Sequence, residues 1–268
     1  VRSRFISKVI AVNDRIYIAT ADQNISGGAG NTRGRVFKYV PKSGETEQVG
    51  NVFGGGTGEA TGGYPSSMVW WLGRLWACRN PATGAADGRE GTVVWIRPGL
   101  DTTWTSDVTL PADQIGISMA VYGGNLFVGC YSSSSPGTGT PLIRQRTPGG
   151  TWSTSRSGTA NADGQFQSLT TFGTDLYAVE YHVQAPTFES IIRYDGTSWS
   201  SDFDVPANVV DATNRLPGML LSYGGNLYYM HTNLTAGSGH IVRRVSGTWS
   251  VVYTSTDLLK GLLATISF

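Results

Sequence analysis

The chain has 268 residues, 15% of them charged, and a formal net charge of only +1. This balance gives no global field that would favour nucleic acid or an acidic membrane surface. No apolar run approaches the ~20 residues that a membrane-spanning helix needs, so we predict neither nucleic-acid binding nor membrane insertion. The 36 glycines, with 8 tryptophans and 12 tyrosines, are typical of short strands and tight turns.

A short hairpin sequence recurs along the chain. Its clearest copies read Tyr-Gly-Gly-Asn-Leu at 122–126 and 223–227, with a variant at 172–176 and looser copies near residues 13 and 73. The aliphatic residue after the turn recurs at intervals of 59, 51, 50 and 51 residues, at Ile16, Leu75, Leu126, Leu176 and Leu227. A fixed period near fifty indicates an array of supersecondary units.

Each repeat reads as four short strands, which we term a, b, c and d. In the third repeat these span 117–122, 126–131, 142–146 and 151–154. The turns between a and b and between c and d are rich in Gly, Asn and Pro, as tight hairpins require. Strand d carries a tryptophan in four repeats, for which we expect packing between repeats: Trp104, Trp152, Trp199 and Trp249.

Antiparallel four-stranded repeats without helical periodicity predict an all-β fold, a β-propeller of four-stranded antiparallel blades. We predict a single domain over residues 1–268, with five blades favoured and six possible. The predicted repeats span about 5–59, 60–114, 115–165, 166–216 and 217–261, followed by a lone strand at 262–268.

Two motifs, the Gly-Gly-Asn-Leu-Tyr hairpin and the arginine of strand c followed by Gly-Thr-Trp, carry a resemblance to a known superfamily. In them the chain resembles the kelch-like and sialidase-like β-propellers over nearly its whole length. Its Gly-, Ser-, Thr- and Trp-rich composition is similar to propeller domains of bacteriophage tail and bacterial surface proteins. The resemblance implies the propeller fold and a location in a virion or at the extracellular or cell-surface side.

The two ends of the chain leave the blade number open. Residues 262–268 read as another strand a and align with residues 7–12. They extend a five-blade ring, begin a sixth blade, or add to the sheet of a neighbouring subunit. Residues 1–5 contain no methionine and do not form a signal peptide, so we expect a removed segment or a longer parent chain.

Loop lengths distinguish the two ends of the predicted blades. The a–b and c–d turns are short, whereas the b–c and d–a connections are longer and differ between repeats. Both long connections emerge at the same end of an antiparallel blade. Variable loops on a rigid scaffold are where binding usually occurs, so we expect function at this elaborated end.

Aromatic and polar side chains are the candidate ligand contacts, because a ring stacks on the apolar face of a sugar while polar groups bind its hydroxyls. Core packing is the alternative for the tryptophans among them. The candidates are Trp70, Trp71, Trp76, Tyr64, Tyr131, Tyr181, His182, Arg79 and Asn80.

No metal site and no cofactor is predicted. The three histidines lack cysteine or acid partners at the spacing of a zinc site. Cys78 and Cys130 are expected to be small buried thiols without a bridge. Every d–a connection carries an acidic residue, which suits either turn chemistry or a ring that binds a cation: Glu59, Asp113, Asp163, Asp211 and Asp257.

We expect a non-catalytic binding module that recognises glycan or another cell-surface receptor within a phage tail, another virion or an extracellular assembly, with the other subunits as partners. One alternative is a structural assembly or decoration protein that docks through its C-terminal strand. Another is a sialidase-like glycosidase, for which Glu180 is the best candidate for a buried carboxylate. That resemblance implies three arginines that bind the substrate carboxylate. The strand c arginines instead recur as repeat residues, which indicates a structural or solvated role: Arg97, Arg146, Arg193 and Arg243.

Overall fold

All regular structure in the described residues is β-strand. The computed structural model describes residues 2–24, 33–53, 63–81, 91–111, 114–132, 140–158, 164–182, 188–205, 218–233 and 238–255. Within these ranges there is no helix, and hence none that could cross a membrane. The chain divides into two compact units, Val1–Met119 and Ala120–Ser267.

The first unit contains two four-stranded antiparallel sheets. The first sheet comprises β1 (Arg2–Val12), β2 (Arg15–Asn24), β3 (Arg33–Val40) and β4 (Glu45–Gln48). The second sheet comprises β5 (Gly63–Trp71), β6 (Arg74–Pro81), β7 (Thr92–Ile96) and β8 (Thr105–Thr109). The division between the units falls within the next strand, β9 (Gln114–Tyr122).

The second unit continues the same strand order. β9 pairs with β10 (Asn125–Ser132), which is followed by β11 (Leu142–Arg146) and β12 (Trp152–Ser157). We call these four strands the third sheet, and one residue pair of β10 joins it to the fourth. The fourth sheet comprises β13 (Gln165–Phe172), β14 (Asp175–His182), β15 (Phe188–Tyr194) and β16 (Trp199–Asp204). The fifth sheet comprises β17 (Met219–Tyr223), β18 (Asn226–Asn233), β19 (Ser238–Val245) and β20 (Thr248–Ser255).

The predicted antiparallel four-strand units are confirmed. The predicted a–b hairpin is also present, since Gly123 and Gly124 have φ angles of 55° and 77°, which glycine adopts without steric cost. Asn125 opens β10 instead of belonging to the turn. The blade number and the single domain stay predictions, and the lone strand at 262–268 lies outside the described residues.

The predicted packing role of the outer-strand tryptophans is confirmed for Trp199 and Trp249. The Trp249 ring stacks on Phe203 of the fourth sheet with centroids 5.4 Å apart, and its indole N–H donates to Asp202 at 2.6 Å. The Trp199 indole N–H donates to Ser155 of β12 at 3.0 Å. Ser155 and Asp202 are the extra residues of β-bulges at the same register of β12 and β16, so the bulge supplies the acceptor for the next tryptophan.

A second set of bulges holds consecutive first strands together within each unit. Ser7, Ser66 and Ser168 lie at register shifts in β1, β5 and β13. The Ser66 hydroxyl donates to the Gly116 carbonyl of β9 at 2.6 Å, and Ser7 donates to a β5 carbonyl. In the second unit, the backbone N–H of Leu220 in β17 donates to Ser168 at 2.7 Å. These bonds fix the first strands, from which the long connections emerge.

The apolar cores lie between consecutive sheets. In the first unit Tyr17, Met68 and Leu75 belong to one buried cluster, and in the second unit Tyr177 and Tyr229 belong to another. Cys78 and Cys130 are free and buried, as predicted. Burial raises the pKa of the Cys130 thiol to about 12, so this thiol is unreactive at neutral pH.

Candidate functional site

Two buried glutamates lie at the end of the fourth sheet where β14 and β15 are joined by residues 183–187. We call this the loop end, and the end with the 173–174 turn the turn end. Glu180 lies opposite Ser190, and Glu189 lies opposite Tyr181. Because opposite residues share a face and successive residues alternate, Glu180 and Glu189 project from opposite faces of the sheet.

The Glu180 cluster consists of Arg156, Glu180 and His182. The Arg156 Nη2 atom lies 2.7 Å from Glu180 Oε2, and His182 Nε2 lies 3.4 Å from Oε1. The Glu180 side chain is only 4% exposed. Burial raises its pKa, but hydrogen bonds from His182 and Arg156 outweigh that effect and hold the pKa below its usual range. Glu180 is therefore an ionised carboxylate at neutral pH.

Two close approaches enclose the Glu180 carboxylate. A side chain at Gly158 would place its Cβ 2.8 Å from Pro141 and 3.0 Å from Glu180 Oε1. A Cβ at Gly164 would lie 3.2 Å from His182 Cε1. Both positions therefore require glycine, because a side chain would clash there. The neighbouring residues enclose the carboxylate, so it is not open to a ligand.

Glu180 is expected to make the folded protein sensitive to acid. Its pKa is lowered in the folded state, so its stabilising contribution is present above the unfolded-state pKa and is lost as pH falls through the folded one. We expect the difference in unfolding free energy between wild type and Glu180→Gln to be largest near neutral pH and to shrink below about pH 4. Urea unfolding between pH 7 and about pH 3 measures it, and a pH-independent difference would contradict it.

The Glu189 cluster lies between the fourth and fifth sheets. The backbone N–H of Gly218 donates to Glu189 Oε1 at 2.7 Å. His231 Nδ1 lies 3.0 Å from Glu189 Oε2, and both side chains are fully buried. The Tyr229 hydroxyl lies 3.2 Å from His231 Nδ1. Burial, and then the charge of Glu189, raise the pKa of Tyr229 well above its usual value, so the phenol stays protonated.

Gly218 brings the start of β17 against the Tyr229 ring. A Cβ at this position would lie 2.2 Å from the ring and hydroxyl atoms of Tyr229. That ring is fully buried and lies next to His231, with centroids 6.1 Å apart. No side chain fits at Gly218 without moving the cluster, so glycine, carboxylate and phenol together fix the loop end of β17.

The structure does not bring the three candidates of the second unit together. His182 belongs to the Glu180 cluster. Tyr181 is buried and projects from the other face into the core between the fourth and fifth sheets. Tyr131 is half-buried and pairs with Gln165 where the third and fourth sheets meet.

The candidates of the first unit fall into two groups at opposite ends of the second sheet. Tyr64, Arg79 and Asn80 lie at its loop end, where Tyr64 is opposite Asn80. The tryptophans lie at the turn end, next to residues 72–73: Trp70, Trp71 and Trp76.

The three tryptophans pack within the protein. Trp70 stacks on Tyr17 with centroids 5.9 Å apart. Trp76 is fully buried, and its indole N–H donates to the Trp71 carbonyl at 3.0 Å. These contacts are those of core residues.

The sequence did not predict three residues of these clusters, because their partners lie far away in the chain: Arg156, Glu189 and His231. His231 contacts Glu189 from another sheet. One signal was present: Glu180 and His231 each lie four residues after the repeat marker, at Leu176 and Leu227. Polar residues at one repeated register indicate a shared environment. The five acidic residues of the d–a connections lie outside the described residues.

The chain is similar in structure to glycoside hydrolases. A Trypanosoma rangeli sialidase in complex with sialic acid matches with a TM-score of 0.61 and 10% identity, over 92% of this chain and 47% of that chain. A GH43 β-1,3-galactosidase with galactodeoxynojirimycin matches with a TM-score of 0.53 and 9% identity, over 91% and 92%. A glycoside hydrolase matches with a TM-score of 0.50 and 13% identity, over 86% and 84%. No family model and no curated protein matches the sequence.

These similarities show the fold, which is that of a β-propeller. The sialidase-like part of the sequence resemblance is supported, whereas the kelch-like and phage-tail parts are not shown. The expectation of a non-catalytic binding module is contradicted, because the matched propellers are glycoside hydrolases. The chain spans about half the length of the sialidase.

Proposed function

We propose that the protein is a glycoside hydrolase. The observation that carries the proposal is the match to the β-1,3-galactosidase, which covers 91% of this chain and 92% of that one. The matched fold therefore makes up almost the whole of that galactosidase, which is named for its hydrolytic activity. The sheets and connections of this chain are therefore sufficient in extent to carry such an activity.

Glycoside hydrolysis uses two carboxylates, one as acid and one as base or nucleophile. Glu180 and Glu189 do not form that pair in our proposal, because they are buried on opposite faces of one sheet and already bonded. We assign them as positioning residues for the loop end. The reacting carboxylates are sought among the acids of the d–a connections: Glu59, Asp113, Asp163, Asp211 and Asp257.

The substrate class that we propose is a neutral glycoside. Two of the strand c arginines, Arg97 and Arg193, have partners close by: Arg97 Nη2 lies 2.7 Å from Asp101, and Arg193 Nη1 lies 3.7 Å from Asp175. Arg193 lies opposite Tyr177, away from the loop end. These positions do not support arginines that grip a substrate carboxylate, as sialic acid would require.

Single amide variants of the five d–a acids test the proposal. We expect neutral aryl glycosides or oligosaccharides to be hydrolysed, and two of the variants to lose roughly 10²–10⁴-fold in kcat because proton transfer or nucleophilic attack is lost. Glu180→Gln is the matched control from the described residues and should lose less than about tenfold. Reducing-sugar release and aglycone absorbance measure the rates.

Three outcomes would contradict this assignment. Absence of hydrolysis on a panel of neutral and sialylated glycosides would remove the enzyme proposal. Cleavage of sialosides alone would remove the neutral substrate class. Loss of activity in Glu180→Gln, with all five d–a variants active, would place the chemistry at the Glu180 cluster. The extracellular location stays a prediction, tested by fractionating cells that express the protein.

A further inference from the structure

The fifth sheet has two faces that are built for sheet packing. One face contacts the fourth sheet through Leu227, Tyr229 and Val242. The other, which we call the second face, repeats the apolar pattern by which the fourth sheet contacts the fifth. The matched rows are Val179, Ile191 and Phe203 in the fourth sheet and Met230, Ile241 and Tyr253 in the fifth.

The two rows differ in how far they are covered. In the fourth sheet Val179 and Ile191 are fully buried, and Phe203 packs into the same core. In the fifth sheet Met230 is buried, but Ile241 is only half-buried and Tyr253 is 51% exposed. Tyr223, the counterpart of Phe172 at the turn end, is 68% exposed. Arg243 lies on the same face opposite Tyr228, and the exposed apolar side chains around it form a patch of the kind that marks a contact surface.

The outer half of the second face lacks one feature of the third and fourth sheets. Ser155 and Asp202 accept the indole N–H of the next tryptophan from a bulge in the outermost strand. The bulge of β20 places Val252 at that register. A valine side chain accepts no hydrogen bond, so β20 is not built to receive a further tryptophan strand. The part of the face that retains the packing pattern is β17 and β18.

We propose that residues 262–268 of this chain cover the inner half of the second face, in the position that β17 holds on the fourth sheet. β17 packs against β13 and β14. Its sequence Gly218-Met219-Leu220-Leu221 has a counterpart in Gly261-Leu262-Leu263-Ala264. Residues 261–268 carry no charge, so they suit an apolar face, and they include no tryptophan that would need the missing acceptor.

The chain length permits this docking. β20 ends at Ser255 at the loop end of its sheet, where it pairs with Gly239, and first strands begin at that end. Six residues, 256–261, connect the two and span at most ~20 Å. Crossing three strand spacings and one sheet-to-sheet distance needs roughly 17 Å. The connection is therefore long enough without rearrangement of the fifth sheet.

Cysteine labelling tests the proposal. Tyr228→Cys places a thiol on the inner half of the second face, and Val251→Cys places one on the exposed outer strand as the matched control. Both native cysteines are buried and contribute little background. We expect iodoacetamide to modify the thiol at position 228 about tenfold faster when the chain ends at residue 261 than in the full chain. The control should react equally in both.

A second variant keeps the full length. Replacing both Leu263 and Ile266 with Asp should expose position 228 to the same extent, which guards against misfolding of the shortened chain. Equal labelling rates at position 228 in the full, shortened and substituted chains would overturn the proposal. Protection that grows with protein concentration, together with a dimer mass in light scattering, would overturn it in favour of a second copy on this face.

Discussion

Replacement of Glu189 by alanine is expected to lower the free energy of unfolding by about 3 kcal/mol. The substitution removes the acceptor of the Gly218 N–H and the partner of His231, both fully buried at the Glu189 cluster. The buried Gly218 N–H is then left without an acceptor and without access to water, and His231 loses the carboxylate 3.0 Å from its Nδ1 atom. Urea unfolding at pH 7, followed by tryptophan fluorescence, measures the change.

Two further variants separate this effect from general loss of a glutamate. Glu45→Ala, on the exposed strand β4, is the matched control and should change stability by less than about 0.5 kcal/mol. Glu189→Gln keeps one carbonyl acceptor and should fall between wild type and alanine. If Glu189→Ala unfolds at the same urea concentration as Glu45→Ala, the cluster does not hold the fourth and fifth sheets together.

Features that arise from neighbouring residues could be predicted from the sequence. The Gly123-Gly124 turn needs positive φ angles, which glycine accepts, and the structure has them. Strand c of the third repeat was predicted at the bounds that β11 has, 142–146. Each hairpin forms from a continuous stretch of chain. The recurring period therefore also indicates how many strands one repeat contains.

Contacts between sheets could not be predicted in the same way. Glu189 and His231 lie on different sheets and meet only after both sheets have packed. The bulges at Ser155 and Asp202 leave no mark in the alternation of apolar residues, yet they decide where the tryptophan N–H groups donate. Side-chain pairing across a sheet interface depends on the register of two sheets, which no local pattern encodes.

The candidate site was predicted in part. Glu180 was identified as the best candidate for a buried carboxylate, and it is buried. Its bond to Arg156, which holds it ionised, was not foreseen, because an arginine in an outer strand reads as a solvated residue. The acids of the d–a connections were interpreted as turn residues, since Asp is common in loops for its local hydrogen bonds, or as a ring that binds a cation. They become candidates for catalysis only because glycoside hydrolysis requires two accessible carboxylates.

Replacement of Trp76 by alanine is expected to cost about 4 kcal/mol of unfolding free energy. The side chain is fully buried and lies between Trp71 and Trp95, with ring centroids 5.2 Å and 6.3 Å away. Its loss leaves a cavity between two large rings and removes the bond from its indole N–H to the Trp71 carbonyl. Neighbouring rings fill such a cavity only in part, because Arg74 lies 3.9 Å above the Trp95 ring and restricts its movement.

The same variant separates packing from sugar binding at the turn end of the second sheet. Leu100→Ala is the matched control, since this leucine is 78% exposed in the c–d turn and should cost less than about 0.5 kcal/mol. Trp76→Phe retains part of the ring volume and should be intermediate. A Trp76→Ala protein with wild-type stability and weakened glycan binding, by calorimetry, would contradict the packing role. Because a fully enclosed ring offers no face to a sugar, we expect the reverse: lost stability, and unchanged affinity in whatever fraction remains folded.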